Sequence, residues 1–265
     1  ERGAREEFIL APPVLRDLRA LRVSKMILET LPTRTSGAAE NMAIDFLLLQ
    51  RYPRATTPRF RHYGWRAHAF TFGYSQKIAF VREQLAAIAG DAPLDLCRRP
   101  TGGGLVDHRD DWTYTLVIPR GHPLEERPAT QSYRVIHEAL ADALRAQEID
   151  VITKQVVDES EGPTGAGVCF QRAEIHDVVH ATTGAKIAGA AQKRNKHGLL
   201  FQGSLWRPAL GAAGIDWEQF ETDFVAQLAA ALEVTAEPTP WPELNDEEVS
   251  GLTEQYSTPE WIAYR

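Results

Sequence analysis

The order of the hydrophobic patterns along the chain restricts its fold more than any other feature of the sequence. Segments rich in β-branched and aromatic residues, which are typical of strands, are interspersed with segments that have the spacing of amphipathic helices, without strict alternation. This order favours an α+β fold in which helices pack on mixed or antiparallel sheets. No internal repeat is visible, and 265 residues suit one large domain or a main domain with a small appendage.

The local patterns place these elements along the chain. Residues 1–35 have no clear period and indicate an arm or an edge strand, and the proline-rich segment 235–243 indicates a connector. Helices are predicted over 38–52, 79–90, 129–147, 216–232 and 246–256, and strands over 58–76 (two strands), 94–97, 112–119, 168–170, 176–192 (a hairpin) and 198–206.

Composition and charge narrow the functional class. The chain has 29 basic and 36 acidic residues, a net charge of −7, which argues against general nucleic-acid binding because a phosphate backbone demands a basic face. No apolar run approaches the roughly 18 residues of a membrane span. The two cysteines, Cys97 and Cys169, form no disulfide framework, so we expect a cytoplasmic protein without a membrane partner.

The stretch RRPTGGGLVDH, residues 98–108, combines two arginines with three consecutive glycines. Glycines allow a positive φ and let a ligand lie against backbone N–H groups, and Arg98 and Arg99 could hold a carboxylate or a phosphate. A plain tight turn with surface arginines explains the same residues equally well. The stretch is neither a dinucleotide fingerprint nor a phosphate loop with its lysine.

Cys169 and Lys186 are candidate reactive residues. A cysteine nucleophile needs a nearby positive charge that favours its thiolate, and Lys186 follows across a predicted hairpin, although a lone cysteine is more often a small buried apolar residue. The small residues beside Lys186 leave room for a ligand whose carbonyl could meet the ammonium group, but a solvated strand lysine is equally compatible with the pattern. Cys97 is expected to lie in the core or to line a strand.

Two further groups of charged residues have open interpretations. The histidines have no metal-binding spacing with cysteines or acids, and the zinc site conceivable at His176 and His180 is set aside, so no metal site is predicted. The basic segment QKRNKH, residues 192–197, is either a solvated loop or a contact for an acidic carrier protein.

Five stretches taken together resemble one family. NMAIDFLLL, RFRHYGWRAHAFTFGYSQK, RRPTGGGLVDHRDDWTYTLVIP, CF and GAKIAGAAQKRNKHGLLFQGSLW occur in the order found in the lipoate–protein ligase and octanoyltransferase superfamily. The similarity runs from about Asn41 to Trp206, with a fainter match at the C-terminal end, and looks closest to the cysteine-dependent octanoyltransferases. It implies a biotin/lipoyl protein ligase-like catalytic domain over 36–265, with an N-terminal arm at 1–35 and no C-terminal accessory domain.

The resemblance also implies a reaction and a site. Such transferases move an octanoyl group from acyl carrier protein, through a cysteine thioester, to a lysine of a lipoyl-domain protein such as the glycine cleavage H protein, without a cofactor. Cys169 matches the nucleophile and Lys186 matches the lysine that contacts the acyl carbonyl. The substrate-binding residues that we expect from the matching motifs are Arg98, Arg99, Thr101, Gly102, Gly103, Gly104, His108, Gly189 and Ala190.

Two rival functions remain open for a chain of this type. An ATP-dependent lipoate–protein ligase would use ATP and Mg²⁺, form a lipoyl adenylate and tolerate loss of Cys169. A non-catalytic acyl-binding protein would hold the acyl group but never transfer it. Gln202 stands where the transferases often have histidine, and Gly104 and Asp107 resemble the ligases.

Overall fold

The computed structural model describes residues 26–52, 57–90, 93–156, 172–211 and 214–264. The predicted strand over 168–170, with Cys169, lies outside the described residues, as do residues 1–25 of the predicted arm. Within the described ranges, no helix combines the length and the apolar character needed to cross a bilayer.

The described strands are β1 (Ile27–Ser36), β2 (Arg59–Trp65), β3 (Ala69–Phe72), β4 (Asp95–Arg98), β5 (Val106–Asp107), β6 (Asp111–Pro119), β7 (Val151–Thr153), β8 (Val178–His180), β9 (Lys186–Asn195), β10 (Gly198–Trp206) and β11 (Thr235–Pro238). They form two sheets. The larger has the order β11-β1-β2-β6-β10-β9-β8-β7, in which β1 pairs in parallel with β11 and β2 and the other pairs are antiparallel. The smaller has the order β4-β3-β5.

Helices cover both faces of the larger sheet, which confirms the predicted α+β class. They are α1 (Ala38–Gln50), α2 (Ile78–Ile88), α3 (Pro123–Glu126), α4 (Ala129–Ala146), α5 (Trp217–Ala231), α6 (Asp246–Ser257) and α7 (Pro259–Ile262).

The alternation of side chains along β6 shows how the two faces are filled. Leu116 and Ile118 belong to the main core cluster, which includes residues of α4 and α5, whereas Val117 packs on the opposite face with residues of α1. Because successive residues of a strand point to opposite faces and every residue of β6 is buried, both faces of this strand are covered. The sheet therefore lies between two helical layers.

Two sequence expectations at the edge of this sheet are wrong. The segment 27–35, assigned to an arm or an edge strand, forms most of β1 and lies between β11 and β2. Its second half is largely exposed, which hides the alternation that marks a half-buried strand. The predicted connector 235–243 begins as β11, which pairs with β1; an edge strand tolerates Pro238, because the N–H that proline lacks need not join the ladder.

Candidate functional site

A cavity lies between α1, the smaller sheet and the β9–β10 part of the larger sheet. Its walls combine aromatic and small apolar side chains with a few polar groups. They comprise Met42, Tyr63, Trp65, Thr71, Arg99, Val106, His108, Thr113, Gly189, Ala190, Ala191, Gln202, Gly203 and Ser204. Four of the predicted substrate-binding residues, Arg99, His108, Gly189 and Ala190, are among them.

The predicted glycine stretch forms a turn between β4 and β5 beside this cavity. Gly103 has a φ of 88°, a conformation that side-chain-bearing residues rarely adopt. A Cβ atom at Gly73 would lie 2.0 Å from the carbonyl oxygen of Gly103, so the two backbone segments can approach only because residue 73 is glycine. A Cβ at Gly102 would meet no atom within 4 Å. Gly73 is thus a site residue that sequence reasoning missed.

Arg98 fixes the surroundings of the turn from inside the protein. Its side chain is fully buried, and its guanidinium group donates hydrogen bonds to the carbonyl oxygens of Tyr74, Gln76, Trp261 and Ile262, at 2.6 to 3.1 Å. Arg98 therefore connects the loop after β3 to α7. The sequence suggested contact with an anion, whereas these contacts give Arg98 a role in the shape of the turn.

Arg99 lies at the cavity wall. Its Nη2 donates to the carbonyl oxygens of Gly102 (2.6 Å) and Gly104 (2.8 Å), and its Nη1 donates to Thr71 Oγ1 at 3.3 Å. These bonds hold the glycine turn against β3. A contact between Arg99 and a negative group of a ligand stays a prediction.

His108 belongs to a buried polar network at the Trp65 end of the cavity. Its ring stacks on Trp65 with a centroid distance of 4.1 Å, its Nδ1 lies 2.7 Å from Asp111 Oδ2, and its Nε2 lies 2.8 Å from Thr71 Oγ1. Ser204 donates to the same carboxylate oxygen. Burial favours a raised pKa for Asp111, but the charge of His108 and these hydrogen bonds outweigh it, so the pKa is lowered. The network fixes the imidazole orientation.

Gln202 connects the glycine turn to a buried charge on α1. Its side-chain oxygen accepts from Thr101 Oγ1 at 2.8 Å, and its Nε2 donates to Asp45 Oδ2 at 2.6 Å. Asp45 also accepts from Arg61 and Thr115, at 2.7 and 2.8 Å. Thr101, which was predicted from sequence, is thus part of this network. Asp45 and Arg61 were not predicted, because their partners are remote in sequence.

Lys186 is held beside the cavity by a network that the sequence did not predict. Its Nζ lies 2.7 Å from Asp177 Oδ2, with both side chains buried, and 3.3 Å from the carbonyl oxygen of Arg172. The other oxygen of Asp177 accepts from the Tyr133 hydroxyl, which also accepts from the backbone N–H of Ala190 at 2.9 Å. The network fixes the ammonium group relative to the cavity wall, so the solvated-lysine alternative is wrong.

Gly189 is required by the position of Lys186. A Cβ atom at residue 189 would lie 2.6 Å from Cε and 2.7 Å from Nζ of Lys186. We expect Gly189→Ala to displace the ammonium group and to lower kcat/KM for the acyl transfer that the resemblance implies by up to about 10²-fold, because a small misplacement of a catalytic group costs that much. Gly251→Ala in α6, where a Cβ meets no atom within 4 Å, is the matched control. Equal activity of both variants would contradict this placement.

Of the two cysteines, the structure describes Cys97 alone. Cys97 is buried in β4, where burial raises the pKa of its thiol, so the predicted core role is confirmed. Cys169 lies outside the described residues. Among the residues that are described, no group of three histidine, cysteine or acidic side chains could hold a metal ion.

Comparisons with known proteins relate this site to one family. The family model described as the lipoyl protein ligase A/B catalytic domain matches residues 37–207. Octanoyltransferase LipM of Geobacillus kaustophilus is 33% identical over 173 residues, which are 63% of this chain and 60% of that relative. The chain thus spans about three fifths of such a relative, whereas the match to Octanoyltransferase LipM of Macrococcus caseolyticus, at 28% identity, covers 88% of this chain and 97% of the relative.

Solved structures share the fold. A putative lipoate protein ligase from T. acidophilum with bound lipoic acid has a TM-score of 0.70 at 18% identity, over 91% of this chain and 100% of that chain. A lipoate-protein ligase A bound with ATP has a TM-score of 0.67 at 18% identity, over 90% and 99%. These likenesses show the fold alone. With the family model matching well over half of its residues, the chain belongs to the lipoyl protein ligase A/B catalytic domain family.

Proposed function

We propose that this chain is an octanoyltransferase. It moves an octanoyl group from acyl carrier protein to Cys169, and from Cys169 to a lysine of a lipoyl-domain protein. The observation that carries the proposal is the buried ammonium group of Lys186, held by Asp177 beside a cavity with mainly apolar walls. The octanoyltransferase names of the relatives agree with it.

The arrangement around Lys186 suits a thioester reaction. The carbonyl oxygen of Arg172 accepts from Lys186 Nζ, and Arg172 follows Cys169 by three residues, a separation that a chain spans in at most about 11 Å. A cation in this neighbourhood favours a thiolate, since a free cysteine at neutral pH is only a few per cent ionised. The same cation stabilises the negative charge that develops on the acyl oxygen.

The reaction has two steps in this proposal. The Cys169 thiolate attacks the carbonyl carbon of the octanoyl thioester, the bond to the carrier sulfur breaks, and the carrier leaves as a thiolate that takes up a proton. The neutral amine of the acceptor lysine then attacks the enzyme thioester and loses a proton. The Cys169 thiolate leaves, and the amide product makes the sequence favourable.

The cavity provides the site for the acyl chain. Met42, Tyr63 and Trp65 supply apolar contacts, and the imidazole of His108 is hydrogen-bonded to Thr71 and Asp111. A saturated chain gains burial there without needing a hydrogen-bonding partner of its own.

The decisive experiment is intact-mass analysis after mixing the protein with octanoyl carrier protein in the absence of ATP. We expect a mass increase of one octanoyl group, lost in Cys169→Ala, and transfer of the group to an added lipoyl domain. Absence of any adduct on the wild-type protein would reject the transferase.

A second reaction mixture, which contains ATP, Mg²⁺, free lipoate and a lipoyl domain, tests the ATP-dependent lipoate–protein ligase. Labelling of a lipoyl domain that requires ATP, Mg²⁺ and free lipoate, and that survives Cys169→Ala, would establish the ligase instead. Binding of octanoate without transfer under either condition would indicate an acyl-binding protein.

A further inference from the structure

Basic residues gather at one end of the larger sheet, although the chain as a whole carries a net charge of −7. The turn between β9 and β10 lies beside the chain that leaves β6, because the backbone N–H of Arg120 donates to the carbonyl oxygen of His197 at 2.9 Å. Arg194 joins the segment after α3, since its Nη2 donates to the carbonyl oxygen of Arg127 at 3.1 Å. We call this region the hairpin surface; it comprises Arg120, Arg127, Lys193, Arg194, Lys196 and His197.

Several of these charges face solvent. Arg120, Arg127 and Lys196 are exposed, and the side chain of Arg120 is 67% exposed with Glu125 at 3.9 Å as its ion-pair partner. Arg194, by contrast, donates to the carbonyl oxygen of Arg127, and this hydrogen bond fixes the position of the hairpin. The hairpin surface therefore presents exposed positive charges on an ordered backbone, an arrangement suited to an acidic protein partner.

Lys193 connects the hairpin surface to the wall of the cavity, on the face of β9 opposite to Arg194. Lys193 Nζ lies 5.3 Å from the centre of the Tyr74 ring, and the backbone N–H of Tyr74 donates to the carbonyl oxygen of Thr101 at 2.8 Å, next to the glycine turn. Ala191, two residues before Lys193, lines the cavity. A partner that covers both the hairpin end of the sheet and Lys193 would therefore lie beside the glycine turn.

We propose that the hairpin surface docks an acidic face of the protein that delivers the acyl group. This inference rests on the proposed transferase function. Lys193 is seven residues from Lys186 along β9, about 24 Å of extended strand. A carrier that holds its acyl group on a long flexible arm can dock at such a distance, whereas an acceptor lysine has only a four-carbon stem and must bind closer to the reacting sulfur.

The test compares a protein-bound donor with a small one. The charge-reversal variant Arg120→Glu/Arg127→Glu/Lys196→Glu is assayed with octanoyl carrier protein and with octanoyl-pantetheine, alongside Arg82→Glu, an exposed arginine of α2, as the matched control. We expect the triple variant to raise KM for octanoyl carrier protein on the order of tenfold at low salt, with kcat and the octanoyl-pantetheine reaction unchanged. Added salt should raise the wild-type KM for the carrier in the same direction.

Three other outcomes would overturn the inference. An unchanged KM for the carrier in the triple variant would show that the carrier docks elsewhere. An increase only in KM for the lipoyl domain would assign the surface to the acceptor. An equal loss of activity with octanoyl carrier protein and octanoyl-pantetheine would indicate a distorted active site. Direct binding of octanoyl carrier protein to both variants, measured by fluorescence anisotropy, tests docking separately from transfer. If the wild type binds the carrier through this surface but transfers nothing, the proposed function fails and the docking surface stands.

Discussion

In the proposed reaction, replacing Lys186 by methionine is expected to slow the acylation of Cys169 by octanoyl carrier protein by about 10²–10³-fold, the usual cost of removing one group that stabilises a developing oxyanion. Methionine keeps most of the apolar stem and removes the charge. The loss should appear mainly in kcat, because the ammonium acts on charge that forms during the reaction, and rapid-quench measurement of the acyl-enzyme reports it directly.

This variant needs a control for the carboxylate that it leaves behind. Asp177 is fully buried and pairs with Lys186 at 2.7 Å, so the single variant carries an uncompensated charge. Lys186→Met/Asp177→Asn removes both charges, and we expect it to recover stability but not activity. Acylation at the wild-type rate in either variant, with folding verified by circular dichroism, would remove Lys186 from the proposed mechanism.

The surroundings of Lys186 show what the sequence could predict of this site and what it could not. Small residues around the lysine indicated room for a ligand, and the cavity contains Gly189 and Ala190 as expected. The residues that fix the ammonium group, Asp177 and Tyr133, carry no local signal. Tyr133 lies in α4 and meets Asp177 across 44 residues of chain, a contact that periodicity cannot reveal.

The contacts of the two arginines beside the glycine turn could not be predicted from the sequence either. Two adjacent cations next to glycines are compatible with a ligand site, but the direction of each guanidinium group depends on tertiary contacts. Arg98 faces inward to the carbonyl oxygens of Trp261 and Ile262, which lie more than 160 residues away. The strand and helix patterns were predictable, because they depend on neighbouring residues, whereas the partners of buried polar groups depend on the packing of the whole domain.

Asp45→Ala is expected to lower the free energy of unfolding by about 3–5 kcal/mol, because it leaves the Arg61 guanidinium buried without its counter-charge. Both side chains are almost completely buried and 2.7 Å apart. The carboxylate also accepts from Gln202, which accepts in turn from Thr101, so loss of Asp45 releases the link between α1 and the glycine turn. Urea unfolding measures the change in free energy, provided that the m-value is unchanged.

The matched control for this variant is Asp45→Leu/Arg61→Met, which removes both charges and keeps an apolar volume. We expect it to regain most of the lost stability, since replacing a whole buried ion pair by packed apolar residues is often neutral. We expect the proposed acyl transfer to be impaired in both variants, because in each of them Gln202 lacks the acceptor that orients it toward Thr101. If the double variant regains both stability and acyl transfer, the link from α1 to the glycine turn has no part in shaping the proposed acyl pocket. If it regains neither, the charge pair itself supports the fold.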